Sequence, residues 1–295
     1  SNQIVALILK IIFGKEIFLV VDYRDGWNTF DLFKQNNYFK KCFTQYIEKT
    51  NLSLADFFIY QSPVVRSAII SLYQFDHDDF CKKSLLVRNG YTEITADGNK
   101  PLFTRAEKFD GSIFHLGYFG GLNFENDNYR NPTSILRELD ELGVKIRMDC
   151  FGQVSYPELS TYFKNIVIVF HGTIPMSQAK QMMTKYDALL SFHADTSGAE
   201  VIPGKFYEYI FCCRPILSFG PEDMECGRII TDNKFGLHDP YDQIASNRDL
   251  LIQFLARQRF KSFSKNLLNQ YSHYSRKNQY SKFLVRLLQF KKNSE

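Results

Sequence analysis

The chain has 295 residues, 44% of them hydrophobic and 23% charged, with a formal net charge of +4. This composition supplies enough apolar surface for a folded core and enough length for two domains, which excludes an intrinsically disordered chain. The six cysteines form no Cys-x-x-Cys pair, so we expect free thiols in a reducing cytoplasm and neither a disulfide framework nor a zinc site.

The N-terminal residues predict a helix, a strand and a polar loop. Apolar residues at helical spacing predict a helix from Ile4 to Ile12 that ends at Gly14, and residues 17–21 predict a strand. The loop over residues 22–27, Asp-Tyr-Arg-Asp-Gly-Trp, would follow the carboxyl end of that strand, where ligands bind in open α/β sheets. Because no strand precedes the first helix, we expect the N-terminal domain to be incomplete in this chain.

Strands and helices alternate through the middle of the chain. Helices are predicted over residues 28–53, 63–73, 133–142, 157–163 and 176–186, and strands over 55–60, 84–87, 112–116, 145–151, 166–170 and 188–192. The polar segment 92–110 is predicted to be a linker, and the end of the chain is predicted to be helical. This alternation predicts a parallel, doubly wound sheet. We therefore expect an α/β protein with two Rossmann-like domains, within residues 1–100 and 101–270.

The stretch from Asp195 to Gly220 carries groups that suit a nucleotide sugar. A polar loop leads to Pro203, whose fixed φ suits the first turn of a helix. The N-terminus of that helix offers free N–H groups and a positive dipole end, which can receive a phosphate. The ammonium of Lys205 can meet a diphosphate, and the carboxylates of Glu200 and Glu208 can accept hydrogen bonds from sugar hydroxyls.

The same stretch resembles the donor-site signature of family 4 and related glycosyltransferases of the GT-B fold. The matching residues are Glu200, Pro203, Lys205, Glu208, Arg214-Pro215 and Gly220. The resemblance implies two Rossmann-like domains, with residues 271–295 forming a helix that packs back on the N-terminal one. It also implies transfer of a hexose from a UDP- or GDP-sugar to a glycan or lipid-linked glycan in surface polysaccharide synthesis. Retention at the anomeric carbon, with no metal and no cofactor, belongs to the same expectation.

The resemblance also assigns roles to individual residues. The donor-binding residues would be Gly120, Gly121, Arg130, His171, Gly172, Thr173, His193, Asp195, Pro203, Lys205 and Glu208. The glycine pair would lie against the diphosphate, the main chain from His171 to Thr173 would hold the nucleobase, and Glu208 would hold the ribose. The catalytic candidates are Asp25, Glu200 and Lys205, with Asp25 orienting or deprotonating an acceptor hydroxyl.

Plainer interpretations of these residues stay open. The glycine pair suits an ordinary tight turn, His193 suits a structural role, and Glu208 suits a surface pair with Lys205 on one helix. Asp76-His77-Asp78 matches a D-x-D metal pattern, but its position predicts a helix-to-strand connection and no metal site.

Two other classes of function also stay open, a catalytically inactive module that binds a nucleotide sugar or a glycan, and a single-stranded nucleic-acid binder. The second would use the C-terminal segment 251–295, which holds ten basic residues and one acid, a local charge of about +9. The same segment suits either an anionic membrane surface or a solvated helical face. We expect a cytoplasmic protein, peripheral at the inner face of the membrane, whose partners are a donor and a glycan acceptor rather than nucleic acid.

Overall fold

The computed structural model describes residues 2–24, 27–29, 37–92, 113–125, 131–160, 163–193, 202–241, 243–258 and 269–294. By its internal contacts the chain forms two compact units. Unit 1 comprises Ser1–Asn89, Thr196–Ile202 and Arg276–Glu295, and unit 2 comprises Gly90–Asp195 and Pro203–Ser275. In the part of the chain that is described, no helix is both long and apolar enough to cross a bilayer.

Unit 1 is built on a three-stranded parallel sheet. Its elements are α1 (Asn2–Phe13), β1 (Val20–Tyr23), α2 (Tyr38–Leu54), β2 (Phe57–Tyr60), α3 (Pro63–Tyr73), α4 (His77–Lys82), β3 (Ser84–Leu86) and, from the chain's end, α10 (Arg276–Ser294). The strands pair in the order β1-β2-β3. Side chains cap the helices where the sequence changes from strand to helix. Ser62 caps α3 and Asp76 caps α4, so this aspartate serves as a helix cap.

The sheet of unit 1 is covered on both faces. Phe58 and Tyr60 belong to a core cluster with Leu52 and Ile69 of the neighbouring helices. Phe57 and Ile59 alternate to the other face, where apolar residues of α10 cover them: Phe283, Leu287 and Phe290. The rings of Phe57 and Phe290 lie 5.2 Å apart between centroids.

Unit 2 is a six-stranded parallel sheet flanked by helices. Its elements are β4 (Phe114–Phe119), β5 (Leu122–Asn123), α5 (Thr133–Glu141), β6 (Ile146–Phe151), β7 (Val154–Ser155), β8 (Ile166–Gly172), α6 (Met176–Met183), β9 (Ala188–Phe192), α7 (Gly204–Phe211), β10 (Ile216–Gly220), α8 (Glu225–Asn233), β11 (Gly236–Pro240) and α9 (Arg248–Gln258). The strand order is β8-β6-β4-β9-β10-β11, and every pair in this sheet is parallel. This is the doubly wound order 3-2-1-4-5-6, which confirms the predicted fold class.

The structure corrects several predicted boundaries. Strand β1 begins later than the predicted 17–21, and β4 extends to Phe119 because Gly117, Tyr118 and Phe119 continue the pairing with β6. The pair α8 and β11 was not predicted. In β11, Leu237 stands among Gly, His, Asp and Pro, so the strand has no run of apolar residues to reveal it.

Candidate functional site

The sheet of unit 2 changes direction between β4 and β9, and glycines line its carboxyl edge beside that point. The N–H of Gly120 donates to the carbonyl of Phe151 at 2.8 Å, and the N–H of Gly152 donates to the carbonyl of Gly172 at 2.9 Å. Gly152 has φ +150°, and a Cβ built there would lie 2.2 Å from the Gly120 oxygen. The two turns therefore touch through their main chains, and only glycine fits at position 152. The sequence analysis missed Gly152, although it directly follows a predicted strand.

Lys205 lies beside the Gly120 turn. Its Nζ is 3.9 Å from the centroid of the Tyr118 ring, a cation–π contact. A Cβ built on Gly120 would be 3.3 Å from the same Nζ. The Tyr118 hydroxyl donates to the carbonyl of Gly121 at 3.1 Å. Pro203 precedes α7 in an extended conformation, so Lys205 stands in the first turn of that helix. An ammonium and a helix N-terminus thus meet the glycine turn at the switch point, which makes this edge suitable for an anion.

His193 follows β9 on the other side of the switch point. It is 5% exposed, and its Nε2 lies 2.8 Å from the Ser191 hydroxyl. Burial lowers the pKa of His193 to about 3, and the charges of Lys205 and His238 lower it further. The imidazole is therefore neutral at physiological pH, which limits it to hydrogen bonding as an uncharged group.

Glu208 faces a partner that the sequence analysis did not single out. Its Oε2 lies 2.7 Å from Nζ of Lys180 on α6, and the two side chains are 11% and 5% exposed. Lys180 also donates to the carbonyl of Thr92 at 3.1 Å and lies 4.9 Å from the centroid of the Phe211 ring. The alternative that paired Glu208 with Lys205 on the helix surface is therefore wrong. A contact between Glu208 and a ribose stays a prediction.

His171 ends a stack of three rings across the carboxyl ends of β4, β6 and β8. Phe119 stacks on Phe151 at 4.7 Å, and Phe151 stacks on His171 at 4.6 Å, with interplanar angles of 8° and 10°. The Nε2 of His171 lies 2.6 Å from Asp149 Oδ1, and Arg147 Nε lies 3.1 Å from the other oxygen. Since a carboxylate only accepts, this contact places the proton on Nε2 and fixes the ring.

The predicted site residues fall into three groups. Gly120, Gly121, His193, Pro203 and Lys205 come together around the ends of β4 and β9. His171, Gly172 and Thr173 lie exposed at the end of β8, two strands away. The third group, Asp25, Arg130, Asp195 and Glu200, lies outside the described residues, so their roles stay predictions.

Comparison with solved structures shows the fold of the chain. It is similar to the lipopolysaccharide outer core galactosyltransferase WaaB, with a TM-score of 0.66 and 13% identity over 98% of this chain and 72% of WaaB. For HepE of Anabaena, solved in complex with UDP-glucose, the TM-score is 0.61 with 12% identity over 97% and 76%. For the N-terminal domain of a Candida albicans trehalose-6-phosphate phosphatase, it is 0.64 with 10% identity over 98% and 68%. The chain therefore has the GT-B glycosyltransferase fold. No family model and no curated protein sequence matches it.

Proposed function

We propose that this GT-B chain transfers a sugar from a nucleoside-diphosphate-sugar donor to a hydroxyl of a glycan or lipid-linked glycan. The observation that carries the proposal is the meeting of Lys205, the N-terminus of α7 and the Gly120 turn at the switch point of the sheet. These groups suit a diphosphate, since they combine a cation, free N–H groups and close main-chain approach. The complex of HepE with UDP-glucose favours a UDP-hexose, with a GDP-hexose as the alternative donor.

The proposed mechanism relies on positioning and on charge. Lys205 and the helix N-terminus would stabilise negative charge on the departing diphosphate, the task that a metal ion performs in other transferases. Asp25 would orient the acceptor hydroxyl and Glu200 would lie near the donor sugar, as the sequence resemblance implies. Retention at the anomeric carbon and metal independence are parts of the same proposal, as is a place in polysaccharide synthesis.

Calorimetric titration of Lys205→Gln tests the diphosphate site. Losing one charge-assisted contact of about 1.5–3 kcal/mol should weaken UDP and inorganic pyrophosphate by roughly 10–100-fold. The matched control is Lys164→Gln, an exposed lysine just before β8, at the opposite edge of the sheet. Transfer from UDP-glucose or a GDP-hexose to glycan acceptors is then assayed with the wild type. The proposal fails if the wild type binds neither nucleotides nor pyrophosphate.

A second candidate is a module that binds the nucleotide sugar without transferring it. The observation in its favour is that the same fold occurs in a domain of a protein named as a phosphatase. Nucleotide binding without sugar transfer to any glycan acceptor would support this candidate. Stabilisation by a single-stranded oligonucleotide alone, with no effect of nucleotides, would instead favour a nucleic-acid binder.

The proposed place of action is the inner, cytoplasmic face of an anionic membrane. On α10, the residues Phe283, Leu287 and Phe290 pack on the sheet. The outward residues include exposed lysines: Lys277, Lys282, Lys291 and Lys292. A basic outer face suits anionic lipid headgroups, near lipid-linked acceptors. Co-sedimentation with vesicles should weaken when the Lys and Arg residues of 276–292 become Gln, and unchanged binding would contradict this role for α10.

A further inference from the structure

Helix α2 of unit 1 carries a row of exposed aromatic side chains. Tyr38, Phe39, Phe43 and Tyr46 are 74%, 82%, 61% and 68% exposed. Phe39, Phe43 and Tyr46 recur after four and three residues, so they share one face of the helix. A single exposed apolar side chain is ordinary on a protein surface, whereas several large ones together mark an interaction site.

The charges on α2 all have one sign. Lys40, Lys41 and Lys49 are exposed between and beside the aromatic residues. The only acid of the helix, Glu48, is 1% exposed and accepts a hydrogen bond from the Tyr73 hydroxyl. The outward face of α2 is therefore aromatic and basic, with no carboxylate to neutralise it.

Helix α1 packs against α2 and adds aliphatic side chains. Its exposed apolar residues are 41–66% exposed: Val5, Ile8, Leu9, Ile11, Ile12 and Phe13. The helix contains no acid, and its lysine, Lys10, pairs with Asp56 at 2.7 Å. Together, the exposed residues of the two helices form what we call the α1–α2 face.

We propose that the α1–α2 face docks on an anionic lipid surface. Aromatic side chains settle at the level of lipid headgroups, aliphatic ones reach the acyl chains, and lysines attract anionic headgroups. The α1–α2 face supplies all three classes side by side on neighbouring helices. The inference does not rest on the proposed transferase activity, since an inactive module would dock in the same way.

Other occupants fit the face less well. Lysine is depleted in protein–protein interfaces, whereas α2 exposes three lysines. A second copy of the chain, paired through the same face, would bring these lysines towards each other. Single-stranded nucleic acid binds to basic and aromatic residues, but the aliphatic residues of α1 offer no surface on which bases stack.

Co-sedimentation of the full chain with vesicles tests the proposal. The vesicles are phosphatidylcholine with and without phosphatidylglycerol, and the variants are Lys40→Gln/Lys41→Gln and Phe39→Ser/Phe43→Ser. At about 1 kcal/mol per lysine, the lysine pair should lower the partition coefficient on anionic vesicles roughly 30-fold. The phenylalanine pair should lower it on both kinds of vesicle. These side chains are exposed, so the variants should keep the wild-type melting temperature.

Two further variants serve as controls. Lys145→Gln/Lys164→Gln removes two exposed lysines from unit 2, and it should bind vesicles like the wild type. Lys277→Gln/Lys282→Gln reports on α10 separately. The proposal is overturned if the wild type ignores anionic vesicles or if both α2 variants bind like the wild type. It is also overturned if light scattering shows a dimer that the phenylalanine variant dissociates, or if the chain binds only an oligonucleotide through these residues.

Discussion

The buried pair of Lys180 and Glu208 gives a direct prediction for unit 2. The pair is 2.7 Å apart and nearly excluded from water, with side chains 5% and 11% exposed. Removing one partner leaves the other charge buried without compensation, so Glu208→Ala should destabilise the unit by about 3–5 kcal/mol. The double variant Lys180→Met/Glu208→Leu removes both buried charges, and it should recover most of that loss.

Urea unfolding can assign this loss to unit 2. The chain has one tryptophan, Trp27 in unit 1, so its fluorescence reports unit 1 while far-UV circular dichroism reports both units. Glu208→Ala should lower the midpoint measured by dichroism, and the exposed control Glu222→Ala should not. A loss below about 1 kcal/mol, or a double variant less stable than the single one, would refute the reasoning. Weak UDP binding in a double variant of restored stability would assign the pair to the nucleotide site.

Three other perturbations have definite expected outcomes. Burial raises the pKa of Glu48 to about 7 from 4.5, so the folded protein holds that proton more tightly than the unfolded chain. Stability should therefore fall by about 3 kcal/mol as pH rises from about 4.5 to about 7 and then level off, and Glu48→Gln should abolish this dependence in urea titrations at several pH values. Gly152→Ala should destabilise unit 2 and weaken pyrophosphate binding, because its Cβ would meet the Gly120 oxygen, whereas Gly143→Ala, with φ +72° and no atom within 4 Å, should show only modest strain. His171→Ala should weaken UDP about tenfold if a base stacks on this ring, while His171→Phe should keep most of the affinity and both should bind pyrophosphate normally in calorimetry.

The sequence predicts those parts of the fold that local signals encode. Helix α3 has a Ser62 cap followed by Pro63, and its predicted and observed bounds agree. Strand β9 is a short apolar segment between polar residues, and it too lies where predicted. The alternation of such elements is enough to predict the parallel sheet, because few other arrangements bury them all.

The candidate site is less predictable because its decisive contacts join segments distant in the chain. Lys180 meets Glu208 only because α6 and α7 pack together, and no spacing within either helix indicates this pair. Similarly, Asp149 reaches His171 across two paired strands. The need for glycine at position 152 arises from the main chain of Gly120, which the residues around 152 do not reveal.

The glycine edge of unit 2 has a consequence for altering donor preference. Where Gly120 and Gly152 touch, the surface offered to a ligand is bare peptide, and position 152 has no room for a side chain. Such a surface presents the same amide groups whatever sugar nucleotide arrives, so substitution cannot reshape it. Changes in selectivity must come from the variable side chains around this fixed edge, among them Tyr118, His171 and Lys205. Mutant libraries aimed at new donors should therefore leave the glycines untouched and vary these neighbours.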